Sequence, residues 1–334
     1  MPTPRKLQEE AELRTLRPGA TPAAMSAGRL RYEEPCEIRT CYQRDIDRIV
    51  HSKSFRRLKH KTQVFLQPEG DHYRTRMTHT IEVVRISRTI ARALGMNEDL
   101  AEAVAWGHDL GHTPFGHAGE RALAAICPEG FLHNEQSLRV VDKLEKNGAG
   151  LNLSAEVRDG ILNHVGEGSP ATPEGKIVRL SDLVAYINHD VDDAVRAGIM
   201  SENDIPAYIA DATGRRYGKR LDTVVKDIIS ASADGEIKMS PAMDKVMHEY
   251  REFMFAAVYR NPIAKSEESK VLGILEKLYS HYLRNIEKMP ADYVRLLDTD
   301  SPERVVSDYI AGMTDKYAIY KFSELFIPEA WQVR

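Results

Sequence analysis

Apolar residues recur at helical spacing along most of this chain, and strand-like alternation is almost absent. Ile46, Ile49 and Val50 share one helical face, as do Ile81, Val84, Ile86, Ile90 and Ala93. Gly95 stands where the second of these helices should end, as a left-handed C-terminal cap. A further helix is predicted over 98–109, stopped by Gly111 and barred from continuing by Pro114. The same periodicity predicts helices near 117–126, 134–146, 154–164, 173–197, 219–231, 240–259, 266–287, 291–298 and 301–313, and a short one at 5–16. Only Lys61–Leu66 suggests a short ribbon or loop. A chain of 334 residues with this pattern can bury a large core, and the pattern predicts an all-α fold. Residues 17–28, rich in Pro, Ala, Gly and Thr, read as a linker, and a second shift in composition falls at 198–220. These breaks give an N-terminal arm and linker at 1–42, a helical catalytic core at 43–200, and a C-terminal helical region at 201–334 packed on the core.

The formal net charge is −4, so the chain as a whole is not built to hold polyanions by charge. Residues 44–61 depart from that balance: Arg44, Arg48, Lys53, Arg56, Arg57, Lys59 and Lys61 face only Asp45 and Asp47. No apolar run is long enough for a membrane span, and the N-terminus lacks the apolar core of a signal peptide. Cys36, Cys41 and Cys127 show no CxxC spacing. They read as reduced thiols of a cytoplasmic protein.

The densest chemistry lies in Ala105-Trp-Gly-His-Asp-Leu-Gly-His-Thr-Pro-Phe-Gly-His117. His108 and Asp109 are half of a metal site. Neighbours on a helix point about 100° apart, so both can reach one cation only near the helix end, with other helices completing the cage. His79, early in one predicted helix, and Asp182, within another, can supply the rest. Two imidazoles and two carboxylates suit one divalent ion: Mn, Fe, Co, Ni or Zn, with Mg also able to bind. Taken singly, each residue has a plainer reading as a surface or hydrogen-bonding side chain. Density argues otherwise, since His108, His112 and His117 fall within ten residues of a chain with 12 histidines.

The pattern His79…His108-Asp109…Asp182 resembles the metal motif of the HD-domain phosphohydrolases. The block His108-Asp-Leu-Gly-His-Thr-Pro-Phe-Gly-His-Ala-Gly-Glu120 is similar to the deoxyguanosinetriphosphate triphosphohydrolase family. So are Phe55-Arg-Arg-Leu-Lys-His-Lys-Thr-Gln63, Asp71-His-Tyr-Arg-Thr-Arg-Met-Thr-His79, His133-Asn-Glu-Gln-Ser-Leu138 and Asp182-Leu-Val-Ala-Tyr186-Ile-Asn-His-Asp190. Thr314-Asp-Lys-Tyr317 adds a weaker match. The resemblance implies an HD-domain helical core with additional C-terminal helices. It also implies hydrolysis of a deoxynucleoside triphosphate to deoxynucleoside and inorganic triphosphate, and assembly as a homo-oligomer.

By that resemblance His117 is the catalytic histidine, either base for the attacking water or proton donor to the leaving 5′-oxygen. Glu120, at i+3, would orient it; the plain alternative is a helix N-terminal His beside a surface Glu. His112 and His133 match positions lining the α-phosphate pocket, or are core histidines. Arg57, from the basic stretch, and Arg76 are expected to meet phosphate. Gln63, Tyr186 and Asp190 are expected to read the sugar. Tyr186 and Asp190 follow Asp182 at i+4 and i+8 on one stripe, although Tyr186 is equally a core aromatic. His164 and His189 are further histidines near these blocks.

There is no GxxxxGK loop and no GxSxG elbow. The cluster Arg215-Arg-Tyr-Gly-Lys-Arg220 is either a solvated loop or a site for an effector nucleotide, nucleic acid or a neighbouring subunit. Two other functions stay open: a different HD phosphohydrolase, or a nucleotide-sensing binding protein with a silent site.

Overall fold

A computed structural model describes residues 2–66, 72–262 and 266–329; Asp71 of the third motif block lies outside them. The described residues form sixteen α-helices and no strand, with only two isolated bridges, Arg29 to Ser154 and Thr62 to Thr75. The helices are α1 (Pro4–Thr15), α2 (Cys41–Val50), α3 (Lys53–Arg57), α4 (Arg76–Leu94), α5 (Glu98–Gly107), α6 (Gly116–Ile126), α7 (His133–Arg139) and α8 (Ala155–Asn163). They continue as α9 (Pro173–Arg196), α10 (Ala207–Thr213), α11 (Tyr217–Ala231), α12 (Pro241–Met254), α13 (Glu268–Arg284), α14 (Ala291–Val294), α15 (Pro302–Ala311) and α16 (Asp315–Phe326).

The all-α expectation holds, and Gly95 takes the left-handed cap of α4 with φ 68°. Three helices escape the periodicity. α3 and α10 are too short to show a stripe, and α10 lies inside the Gly- and Pro-marked stretch. α16 is set by its cap, the Thr314 side chain accepting from the Tyr317 amide at 3.2 Å. Lys61–Leu66 is a loop between a 3₁₀ turn and α4, not a strand.

The linker is fastened to the core by buried carboxylates. Glu174 accepts from the Thr21 amide (3.0 Å) and hydroxyl (2.9 Å), and Glu156 accepts from the Ala27 amide at 2.6 Å. Of the Arg215–Arg220 cluster, Arg215, Arg216, Gly218 and Lys219 are exposed, and Arg220 and Tyr217 are packed into the fold. Arg220 is 1% exposed and donates to Asn188 Oδ1 at 3.3 Å, while the Arg74 guanidinium lies over the Tyr217 ring.

Buried apolar side chains form two clusters. The larger joins Ile49, Ile90, Leu100, Val104, Ile161, Ile177 and Val184, and takes in Ile209, Val224, Ile228 and Met254 from beyond residue 200. The smaller packs Ala122 and Leu123 of α6 against Leu275, Leu278, Val306, Ile310 and Ala318 of the C-terminal helices. The segment joining α5 to α6 spans the seam, with Leu110 in the first cluster and Phe115 in the second. No described helix is long and apolar enough to cross a membrane.

Candidate metal and hydrolase site

Helix ends and one long helix bring the four expected ligands together. His79 lies in the first turn of α4, which Thr75 caps by accepting from the Thr78 amide. His108 and Asp109 follow the end of α5, and Asp182 sits midway along α9. His79 Nε2 is 3.1 Å from Asp182 Oδ1, 3.4 Å from His108 Nε2 and 3.7 Å from Asp109 Oδ2. His108 Nε2 is 3.6 Å from Asp109 Oδ1 and 3.9 Å from Asp182 Oδ1. Donors about 2.1 Å from one ion stand roughly 3.0–3.4 Å apart at right or tetrahedral angles, so this set is close to ion-holding geometry.

Its protonation chemistry fits a cation too. His108 Nδ1–H donates to the Ala105 carbonyl at 2.7 Å, which leaves the Nε2 lone pair facing the cluster. Burial alone would raise the Asp109 carboxyl; the Arg76 guanidinium and the neighbouring His108 and His112 rings outweigh it and hold the group well below the usual carboxylate range. Asp182 is likewise buried, and is held low by its hydrogen bond with His79 and by His108. Both carboxylates are therefore ionised, the form in which a carboxylate can hold a cation.

Beside this cluster lies a second one, of two imidazoles on one carboxylate. Glu120 accepts from His117 Nδ1–H at 3.2 Å with one oxygen and from His133 Nδ1–H at 2.8 Å with the other, which also takes the His133 amide at 2.9 Å. Burial opposes its ionisation, but these two imidazoles hold the Glu120 carboxyl far down. Both histidines are thus fixed as Nδ1–H tautomers with Nε2 free. His112 is buried, stacks on His133 with ring centroids 4.1 Å apart, and places Nε2 3.2 Å from Asp109 Oδ1. Burial, then the Arg76 charge, keeps it a neutral imidazole.

The turn that carries His117 is strained. Phe115 has φ 65° and Gly116 φ 56°, a region that a bulky L-residue enters only at a cost of about 1–2 kcal/mol. The C-terminal region holds it. Asp315, 3% exposed, accepts from the Phe115 amide at 2.9 Å and the Thr62 amide at 3.0 Å, and from the Thr62 hydroxyl. Buried Lys61 donates from Nζ to the carbonyls of His112 and Ala311.

Both clusters open into one cavity of about 490 Å³. Gln63, Arg76, Tyr186 and Asp190 line it. Arg76 donates to Asp109 at 3.0 Å and has a buried Nη2 with no hydrogen-bond partner. Arg57 does not line it: α3 faces the C-terminal segment, and Arg57 Nη1 donates to the Gly312 carbonyl at 2.6 Å. Arg44 and Arg48 pair with Glu33 instead. The basic stretch therefore braces the fold more than it faces the cavity.

Arg251, Phe255 and Tyr259 line the cavity without having been foreseen. They sit at i, i+4 and i+8, the spacing of Asp182, Tyr186 and Asp190, and that repeat was the available signal. α12 continues as a π-helical turn over Phe255–Tyr259, a feature frequent at functional sites. There the Tyr259 hydroxyl donates to Asp190 Oδ2.

Comparison with known proteins agrees with this arrangement. Residues 76–187 match the HD domain family and residues 237–324 the phosphohydrolase-associated domain family. The chain is 52% identical to a deoxyguanosinetriphosphate triphosphohydrolase-like protein of Caldanaerobacter subterraneus subsp. tengcongensis, over 98% of this chain and 97% of that one. It is 47% identical to the protein of that description from Desulfatibacillum aliphaticivorans, over 98% of this chain and 99% of the relative. The chain belongs to this family of HD-domain phosphohydrolases. It is a hydrolase of that family, and its His/Asp cluster is one that can hold a divalent ion. Of the expected ligands, His79, Asp109 and Asp182 reach the cavity wall, while His108 has no exposed surface.

Proposed function

We propose that the protein is a metal-dependent deoxynucleoside triphosphate triphosphohydrolase, acting on dGTP or several dNTPs. The observation that carries this reading is a single cavity in which the metal-ligand set, the Glu120-oriented His117 and the Tyr186–Asp190–Tyr259 wall meet. Its volume suits a nucleotide. His79, His108, Asp109 and Asp182 would hold the ion, which when bound would neutralise phosphate charge and polarise the α-phosphate. Arg76 and Arg251 would share the remaining negative charge.

In this reading water adds to the α-phosphorus, the bond from phosphorus to the 5′-oxygen breaks, and inorganic triphosphate departs. One proton leaves the water and one is gained by the 5′-oxygen. His117 Nε2 is free for either transfer, because Glu120 fixes the proton on Nδ1. His133, held by the same carboxylate, and His112, stacked on it, would line the α-phosphate. Asp190 would accept from the 3′-hydroxyl, Gln63 would add a sugar contact, and the Tyr186 and Tyr259 rings would close the space at C2′.

Incubation with each dNTP and rNTP in the presence of Mn²⁺, Mg²⁺, Co²⁺ or Ni²⁺, with products resolved by anion exchange, tests the proposal. Release of deoxynucleoside and triphosphate is expected. Orthophosphate or pyrophosphate would assign another HD phosphohydrolase activity, and tight binding without turnover a silent sensor.

A further inference from the structure

We infer that His189 is a positioning residue that couples the metal ligands to the sugar-binding wall; this rests on the metal reading above. His189 has no exposed surface and is not itself part of the cavity lining. Its Nε2 stands 2.7 Å from His79 Nδ1. Its Nδ1 stands 2.6 Å from Asp190 Oδ1, a close polar contact without hydrogen-bond alignment. Asp190 in turn takes the Tyr259 hydroxyl on its other oxygen and lines the cavity.

Proton bookkeeping sets the direction of this chain. An imidazole that gives its Nε2 lone pair to an ion is neutral and keeps its proton on Nδ1. For His79 that proton points at His189 Nε2, which must accept it. The His189 proton then sits on Nδ1, facing Asp190 Oδ1. A bound ion therefore selects the one His189 tautomer that sets an N–H rather than a lone pair against Asp190 Oδ1, while the Tyr259 hydroxyl meets Oδ2. Asp190 is thereby oriented toward a ligand hydroxyl. The reverse tautomer would set an N–H of His189 against the N–H of His79 and a lone pair against the carboxylate. Ion and nucleoside consequently favour the same state, and each tightens the other. A histidine that merely fills the core would produce no such linkage.

Titration calorimetry of Mn²⁺ into the full chain, with and without saturating 2′-deoxyguanosine, reads the coupling without turnover. Wild-type affinity for Mn²⁺ should rise several-fold with the nucleoside. His189→Gln places an acceptor near the Nε2 position and nothing at Nδ1. It should bind Mn²⁺ almost as wild type and lose the nucleoside effect. His189→Asn reaches only the Nδ1 position and leaves His79 unsupported. Its Mn²⁺ affinity should fall about 10- to 100-fold, the usual cost of losing a ligand's hydrogen-bond partner. Thermal melts verify folding; should the Asn variant fail to fold, the Gln variant decides through its coupling. A wild-type Mn²⁺ affinity indifferent to the nucleoside overturns the inference. So does a folded Asn variant within twofold of wild type, or a Gln variant with full coupling. Asp182→Ala separates the two layers. If it keeps Mn²⁺, the metal reading itself is wrong. If it loses Mn²⁺ while the His189 variants behave as wild type, only the coupling fails.

Discussion

The two halves of the cavity are built in opposite ways. His79, His108, Asp109 and Asp182 are largely buried and sit on, or directly after, helices of the larger core, and His108 and His79 are aimed by 2.7 Å contacts to the Ala105 carbonyl and to His189. His117 has a side chain 62% exposed, stands on a strained turn at the seam of the two cores, and depends on Asp315 and Lys61 to hold that turn. In the proposed reading, ion binding falls to the helical framework of the larger core, and proton transfer to a segment fixed from outside its own core. The contrast implies that changes in the C-terminal region should alter turnover and spare ion affinity.

The largest effect should come from the rigid half. Asp182→Ala removes an ionised ligand, and ion stoichiometry by mass spectrometry should drop to background. With it turnover should fall at least about 1,000-fold, since several kcal/mol of charge stabilisation are lost. Chelation of wild type should do the same and be reversed by added Mn²⁺. A variant that kept its ion would erase the distinction between the halves.

His117→Ala should show the converse pattern. The ion should stay bound while kcat falls at least about 100-fold, the scale of one general acid or base. Loss of the ion from this variant would mean that the turn is part of the metal site after all.

The sequence made the four-residue cluster and the His117–Glu120 pair legible and left hidden the residues that brace them. His108–Asp109 and Asp182 stand in blocks whose residue types have few other uses in combination, and the helices that carry them are strongly periodic. Asp315 stands in the weaker Thr314–Tyr317 match, which carries no role for it. Its pairing with Phe115 and Thr62 spans 200 residues or more, which no local pattern reports. Arg251, Phe255 and Tyr259 looked like an ordinary helix stripe, and the π-helical turn that sets Tyr259 against Asp190 has no simple residue signature. Arg57 was assigned to phosphate because charge excess gives a sign and no direction.

Asp315→Asn sharpens the comparison at intermediate scale. It leaves one carbonyl oxygen to serve two amides and a hydroxyl. We expect kcat to fall about tenfold with Mn²⁺ affinity unchanged, the size of a displaced proton donor rather than a lost one. Hydrogen exchange at the Phe115 amide should quicken while protection in α4 and α9 stays as in wild type. Equal exchange at Phe115 would remove Asp315 from the description of the turn.

The smallest effect concerns stability and belongs to Lys61. Burial first, and then the Arg57 charge, pushes its ammonium down to about 7. A neutral amine has two N–H groups, and two carbonyls, of His112 and Ala311, receive them. The unfolded chain holds the proton up to the ordinary lysine value near 10.4. Between about pH 7 and that value the unfolded state binds more protons than the folded one, so this residue makes stability rise with pH. The slope is at most about 1.4 kcal/mol per pH unit. Lys61→Met removes both the slope and the staple. Its denaturation midpoint should lie below that of wild type at pH 9 by more than at pH 7. A gap that stayed constant across this window would show that Lys61 keeps its charge in the folded protein, with a third hydrogen bond holding the seam.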